Sequence, residues 1–317
     1  MKKILVLRNL LSENEERIKK IFKVKLNKED KIFSNKEIVN LASDCDGILS
    51  FTTASFDSKL INNLPSNIKI ISNYAVGFSN IDIDAALKKN IIVTNTPEVL
   101  TDATADIAIL LLLGASRRAY EGRKFAEKEN WDWSSNFLIG KQMSNKRLGI
   151  LGMGRIGRAV AQRARGFGME IHYHNRSKLN KDLELDAIYH DNIKSLFNQS
   201  DFLSINCPAT SETNNLLNEE TINFLPDEAV VANAARGDII NDTAMIKAMK
   251  NKKIFALGLD VYNGEPKINQ EYLKLENLFL LPHLGSATKR TRIDMGNRAI
   301  DNLESFFLNQ QPKDRVN

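Results

Sequence analysis

Short apolar runs bounded by turn residues alternate along the chain with amphipathic stretches, and that alternation leaves few architectures open. In the first hundred residues the runs are KILVLR (3–8), DGILSF (46–51), IKIISNYA (68–75) and IIVTNTP (91–97), with helical patterns between them. A second series follows: RLGILG, MEIHYHNR, DFLSINC, AVVANAA, FALGLDV and LFLLPHL, beginning at Arg147 and ending at Leu284. Strands that alternate with helices form parallel sheets with helices on their faces. Runs hydrophobic at nearly every position, not at every second one, suit sheets covered on both sides. The expected fold class is α/β, with two doubly wound parallel-sheet domains.

Between the two series lies 98–120, EVLTDATADIAILLLLGASRRAY, apolar on nearly every side at its centre. A helix of that kind is buried, and this one is expected to begin after Pro97 and run along a domain interface. A last helical stretch, 288–308, follows the final strand and is too isolated to build a domain, so it should return to the N-terminal one. The expected division is a discontinuous substrate domain, 1–97 plus 288–317, and a dinucleotide-binding domain, 98–287. Hinges are expected near 95–98 and 285–287.

Length and composition narrow the function classes. With 317 residues each of two domains can bury its own core. Two cysteines far apart in sequence, Cys45 and Cys207, fit a reducing compartment better than a disulfide framework, so a cytoplasmic protein is expected. The longest apolar run, 107–115, is too short to span a bilayer, and the start of the chain lacks the long apolar stretch of a signal peptide. The excess of 44 Lys and Arg over 39 Asp and Glu is scattered in pairs without aromatic interleaving. That pattern reads as a solvated surface able to accept small anions, with no nucleic-acid or membrane partner.

Gly152, Gly154 and Gly157 form Gly-x-Gly-x-x-Gly directly after one apolar strand and directly before a helical stretch. The first glycine permits a tight turn, the second lets the backbone approach a pyrophosphate, and the third lets helix and strand pack closely. The phosphates would then lie at the helix N-terminus, where free N–H groups and the macrodipole favour anions. At the end of the following strand, where an acid that accepts the ribose hydroxyl of NAD is usual, stand Asn175, Arg176 and Ser177. A neutral amide, a planar cation and a hydroxyl suit the 2′-phosphate of NADP instead. Charge-assisted hydrogen bonds are worth about 1.5–3 kcal/mol each, so NADPH is the expected cofactor and NADH the alternative.

Three further segments, NAARGDII, LDVYNGEP and LPHLGSAT, each follow an apolar strand, and their polar residues should gather at one carboxyl edge of the sheet. They supply Arg236, Glu265 and His283. Reducing a 2-keto acid needs a cation for the carboxylate and ketone, and an acid that protonates the oxygen as hydride reaches carbon. Arg236 and His283 fit those roles. Glu265 fits a third, the carboxylate that fixes the imidazole tautomer and favours the charged ring. Taken alone, Arg236 with Gly237 and Asp238 is equally consistent with an ordinary strand-end turn. His172, His174 and His190 read as structural or surface histidines. The chemistry calls for no metal ion.

The ordered motifs GMGRIG, NCPATSET, NAARGDII, LGLDVYNGEP and PHLGSAT, with ISNYAVGFSNIDI upstream, resemble the D-isomer-specific 2-hydroxyacid dehydrogenase family over essentially the whole chain. The resemblance implies that the two domains are a Rossmann cofactor domain and a smaller flavodoxin-like substrate domain with a cleft between, and it implies Arg236 as substrate anchor, Glu265 as orienter of the imidazole and His283 as proton donor. It further implies that the backbone N–H groups of Val76 and Gly77 bind the substrate carboxylate. Asp260 is placed near the nicotinamide amide, and Cys207 and Pro208 along the adenosine. Thr104, Arg155, Ile156, Thr213, Ala234, Ala235 and Gly285 are expected around the same cofactor.

Within that family the chain is most similar to glyoxylate and hydroxypyruvate reductases. Those enzymes carry, after the long helix, an arm that joins a homodimer and can lend an aromatic residue to the partner's site. Trp131 and Trp133 are the candidates here, and arm packing without substrate contact is equally open. Thr52 is expected beside the substrate, and the polar groups of Thr53, Ser72 and Asn73 would suit a small hydroxylated one. Several alternatives remain: a D-lactate, 2-ketogluconate or other D-2-hydroxyacid dehydrogenase of the family, and a cofactor-sensing corepressor. The end of the chain at Asn317 argues against phosphoglycerate dehydrogenases with a regulatory domain.

Overall fold

The computed structural model describes residues 1–128 and 131–317. The chain forms two compact units, Met1–Leu100 with Ala287–Asn317, and Thr101–Ser286. Each is built on one parallel sheet with helices against it.

In the first unit the strands are β1 (Lys3–Val6), β2 (Lys23–Leu26), β3 (Gly47–Ser50), β4 (Ile70–Asn73) and β5 (Ile92–Thr94), in spatial order β2-β1-β3-β4-β5. All neighbours run parallel. The order reverses direction between β1 and β3, as in flavodoxin-like sheets, and ligand-binding loops collect at that switch, outside the strands' carboxyl ends. Leu5, Ile48, Ile71 and Val93 come from four adjacent strands and bury into one core. The helix Lys289–Phe307 returns to this unit: Ser72 on β4 donates its hydroxyl to the Ala299 carbonyl at 3.0 Å. The tail is fixed there by Arg298, whose Nε and Nη2 donate to the buried Asp314 carboxylate at 2.6 and 2.8 Å.

In the second unit the strands are β6 (Arg147–Leu151), β7 (Glu170–His174), β8 (Ile188–Tyr189), β9 (Phe202–Ile205), β10 (Ala229–Asn233), β11 (Ile254–Leu259) and β12 (Leu278–Leu280). Their order is β12-β11-β10-β9-β6-β7-β8, all parallel, with the switch point between β6 and β9. That is the dinucleotide-fold order, extended by one strand. Successive residues of a strand face opposite sides, and here both sides are apolar. On β10, Val230 and Ala232 enter one core while Val231 enters the other. Each fully buried Val or Ile stabilises the fold by about 1.5–3 kcal/mol, so a register slip in this sheet would be costly.

The long apolar helix is Thr101–Ser116, shorter at both ends than the 98–120 expected from the pattern. Glu98, with φ of 73°, turns the chain before it starts, and Arg118, with φ of 54°, breaks the helix before a second one, Ala119–Ala126. Two edge strands are missing from the sequence expectation. The first, β2, reads KVKL, half of it lysine, and β8 is two residues long. No helix among the described residues is long and apolar enough to cross a membrane.

Candidate active site

Three loops at the carboxyl ends of β10, β11 and β12 carry the chemistry-bearing side chains of the second unit. After β10 the buried Asn233 accepts from the Ala235 N–H at 2.9 Å and donates Nδ2 to the Arg236 carbonyl at 2.8 Å, fixing the turn that bears the guanidinium. The next residue has to be glycine. A Cβ on Gly237 would lie 1.9 Å from the carbonyl carbon of Tyr262, so its absence lets the loops after β10 and β11 touch. Arg236 is half-buried and donates to its neighbour's Ala235 carbonyl at 2.6 Å. Burial disfavours its charge, and the nearby Glu265 and Asp238 carboxylates act in the opposite direction.

Glu265 has both oxygens engaged: Oε1 accepts from the Tyr262 N–H at 2.9 Å, and Oε2 lies 2.7 Å from Nδ1 of His283. Burial pushes its pKa up. The His283 hydrogen bond, the Tyr262 N–H and the charges of His283 and Arg236 outweigh that and leave it below the ordinary carboxylate value. An ionised carboxylate only accepts, so the proton in the Glu265–His283 contact sits on Nδ1. Among the described residues Nε2 of His283 has no hydrogen-bond partner, and the ring is partly exposed. With Nδ1 engaged, Nε2 is the ring nitrogen left open to another group.

His283 itself stands at φ of 57°, a left-handed position, and its N–H donates to the Asp260 carbonyl at 2.8 Å. The turn that follows is gripped by the Asp260 side chain: Leu284 and Gly285 donate their N–H groups to Oδ1 and Oδ2 at 2.6 and 2.8 Å. Burial raises the Asp260 pKa, and these two backbone bonds oppose the rise. Thr104 adds a bond to the Gly285 carbonyl at 3.0 Å. Asp260 and Thr104 are both buried, and these bonds fix the turn beside the imidazole.

At the glycine loop, Gly152 has φ of 94°, and a Cβ there would lie 2.6 Å from the backbone N of Cys207. Beside Gly157 a Cβ would meet the Gly152 carbonyl at 2.3 Å. Gly154 differs, because a Cβ there would touch nothing within 4 Å. Packing does not demand that glycine, whereas a pyrophosphate drawn close to the backbone does. The helix Arg155–Arg165, which carries Arg155 and Ile156 in its first turn, opens at Gly154 with no side chain capping it. Its N-terminal N–H groups face where the anion would lie. The residues therefore fit a dinucleotide. Burial pushes the Cys207 thiol up to about 11, which suits an inert wall more than a nucleophile. Thr213 closes the next loop by donating to the Pro208 carbonyl at 2.8 Å. Ala234 and Ala235 form the half-buried start of the turn after β10.

At the end of β7 the Asn175 side chain turns back on the glycine loop, its Oδ1 accepting from the Met153 N–H at 2.7 Å. That leaves the amide nitrogen as its outward group. Arg176 and Ser177 are exposed, and neither has a side-chain partner among the described residues.

In the first unit the loop after β4 is held through its carbonyls. Asn73 donates to the Gly77 carbonyl at 3.0 Å and Asn95 to the Val76 carbonyl at 2.8 Å, while the N–H groups of Val76 and Gly77 donate to nothing among the described residues. Two adjacent free N–H groups on an anchored loop form an acceptor-seeking site suited to a carboxylate. Ser72 and Asn73 are themselves fully buried and paired inside the fold, so their polar groups do not face a substrate. Thr52 is exposed at the end of β3. In the second unit Trp131 stacks on Phe137 with centroids 6.2 Å apart, and Trp133 is 81% exposed.

Reading the sequence for chemistry missed a repeated device. Asn73, Asn95 and Asn233 each end or directly follow an apolar strand, in IISN, IVTN and VVAN; Asn73 and Asn233 pin the loop beyond their own strand, and Asn95 pins the loop after the neighbouring β4. An asparagine closing a hydrophobic run is the signal that could have found them. Of the histidines read as structural or surface, His174 is half-buried. His172 and His190 are buried, with Nδ1 of one 2.9 Å from Nε2 of the other.

Similarity to known proteins extends over nearly the whole chain. The family model described as D-isomer specific 2-hydroxyacid dehydrogenase, NAD binding domain, matches residues 109–285. A glycerate dehydrogenase of Hyphomicrobium methylovorum is 39% identical over 309 residues, covering 96% of each chain. A glyoxylate reductase of Thermococcus litoralis is 38% identical, covering 99% of this chain and 96% of its own. Among solved structures, an NADPH-dependent glyoxylate/hydroxypyruvate reductase of Sinorhizobium meliloti, in complex with NADP and malonate, superposes with a TM-score of 0.90. It is 28% identical and covers 99% of this chain and 96% of its own.

Proposed function

The chain belongs to the D-isomer-specific 2-hydroxyacid dehydrogenase family, and from that premise we propose that it reduces glyoxylate or hydroxypyruvate with a preference for NADPH. The product of a prochiral substrate is the D-2-hydroxy acid. One observation carries the activity: an imidazole whose Nδ1 is fixed by an ionised carboxylate at 2.7 Å and whose Nε2 is left available. His283 then protonates the keto oxygen, and Glu265 stabilises the imidazolium before the proton leaves. Arg236 anchors the substrate, and within the first unit the free N–H groups of Val76 and Gly77 suit a carboxylate. When bound, the reduced nicotinamide supplies the hydride. The names of the relatives, which act on glyoxylate, hydroxypyruvate or glycerate, favour a small substrate.

The NADPH preference is supported by the end of β7, where an exposed, unpaired Arg176 and the amide of Asn175 stand in place of a carboxylate. The exposed Trp131 and Trp133 suit the arm of a homodimer. Following loss of reduced-cofactor absorbance with glyoxylate, hydroxypyruvate, pyruvate and 2-ketogluconate, each with NADPH and NADH, tests substrate and cofactor together. Highest kcat/KM for glyoxylate or hydroxypyruvate with NADPH is expected. Equal use of NADH, or an Arg176→Ala variant with an unchanged ratio, would remove the cofactor preference, and no turnover with any keto acid would favour the corepressor reading.

A further inference from the structure

We infer that Tyr173 is a positioning residue that sets the cofactor preference, by holding the 176–178 turn from beneath. The inference rests on the proposed 2′-phosphate site. Tyr173 on β7 lies in register with Tyr189 on β8, their rings 5.3 Å apart. The two hydroxyls reach the two ends of the turn. Tyr189 donates to the Asn175 carbonyl at 3.4 Å, before Arg176, and Tyr173 accepts from the Leu179 N–H at 3.1 Å, after Lys178.

The second anchor is the stronger, because Tyr173 also donates to the buried Glu184 carboxylate at 2.6 Å. A phenol that donates to a carboxylate becomes a better acceptor at its oxygen, so the Leu179 bond is reinforced. Tyr173 is wholly buried, and burial pushes its pKa up to about 12. It stays protonated, and thus a donor, over the working pH range. Lys178 is drawn toward the same Glu184 oxygen at 3.7 Å and lies over the Tyr189 ring at 6.0 Å.

The three side chains of the turn are exposed while its backbone is tied at both ends. A turn of this kind offers cations to a phosphate without first having to order its own backbone, and that saving appears as affinity. NADH carries no 2′-phosphate and gains nothing from the ordering. Releasing the turn therefore weakens one cofactor and leaves the other alone, which a general loss of fold does not do.

Steady-state kinetics of the full chain at saturating glyoxylate, with NADPH and with NADH, test the inference. Tyr173→Phe should raise the NADPH KM about five- to tenfold, the loss of one reinforced hydrogen bond, with kcat and the NADH KM within twofold. Tyr189→Phe, which removes the longer bond, should do less, and Glu184→Gln, which keeps an acceptor for the phenol, should stay within about threefold of wild type. If Tyr173→Phe fails to fold, Glu184→Ala removes the reinforcement of the same anchor and should raise the NADPH KM in the same direction, by less, with the NADH KM within twofold. Equal changes for both cofactors, or none, would overturn the inference. Arg176→Ala run beside them separates the two failures. If it lowers the NADPH to NADH ratio while Tyr173→Phe does not, the inference alone falls, and if it leaves the ratio unchanged, the phosphate site falls and takes the inference with it.

Discussion

Glu265→Gln isolates the role of the carboxylate without changing its shape. In the wild type Oε2 faces Nδ1 of His283 at 2.7 Å, and Oε1 accepts from Tyr262 at 2.9 Å. A glutamine preserves the volume and can keep the Tyr262 bond through its carbonyl, which turns its amide nitrogen toward Nδ1. A donor facing Nδ1 forces the neutral tautomer with the proton on Nε2, and the cationic ring, with N–H against N–H, is disfavoured. The lost charge-assisted bond is worth about 1.5–3 kcal/mol, so kcat should fall by about ten- to a hundredfold. The loss should fall on kcat, with the glyoxylate KM and the NADPH dissociation constant within about threefold, because neither needs the imidazolium. Stopped-flow and steady-state turnover near neutral pH would read this. A kcat within twofold of wild type, or a loss confined to KM, would refute the assigned role.

Two further outcomes follow from the same geometry. Gly237→Ala places a methyl 1.9 Å from the Tyr262 carbonyl carbon, so the loops after β10 and β11 must part. We expect about 1–3 kcal/mol of lost stability in urea unfolding and a kcat loss of at least about tenfold, and an active, equally stable variant would contradict the close approach. Glu265 has a folded pKa below its unfolded value of about 4.3, so its stabilising contribution is full above that pH and is lost as pH falls through the lower native value. The urea midpoint gap between wild type and Glu265→Gln should therefore shrink between about pH 5 and about pH 3, and a gap that grew on acidification would reverse the sign.

The central strands were legible because both faces of each sheet are apolar, and the pattern KILV or AVVA allows no other placement. The edges were not. In β2 two lysines alternate with Val24 and Leu26, a pattern that protects an exposed edge and hides it from a search for hydrophobic runs. The glycine loop, Arg236, Glu265 and His283 stood out because the turns demand glycine and the chemistry demands those groups. What holds them in place was not visible. Asp260 and Asn95 act on backbone groups distant in the chain, Asn233 and Asn73 on backbone three and four residues ahead, and a side chain that grips backbone leaves no partner side chain to recognise in sequence. Asn175 was legible as a missing acid but not as the acceptor for Met153, which depends on the glycine loop's curvature.

The account depends most on His283 giving up the proton at Nε2. Turnover of NADPH with glyoxylate by His283→Ala, beside its NADPH dissociation constant, tests that directly. A fall in kcat of about 100- to 10,000-fold with cofactor binding unchanged is predicted. Turnover within tenfold of wild type, or a loss explained by weaker cofactor binding, would contradict it.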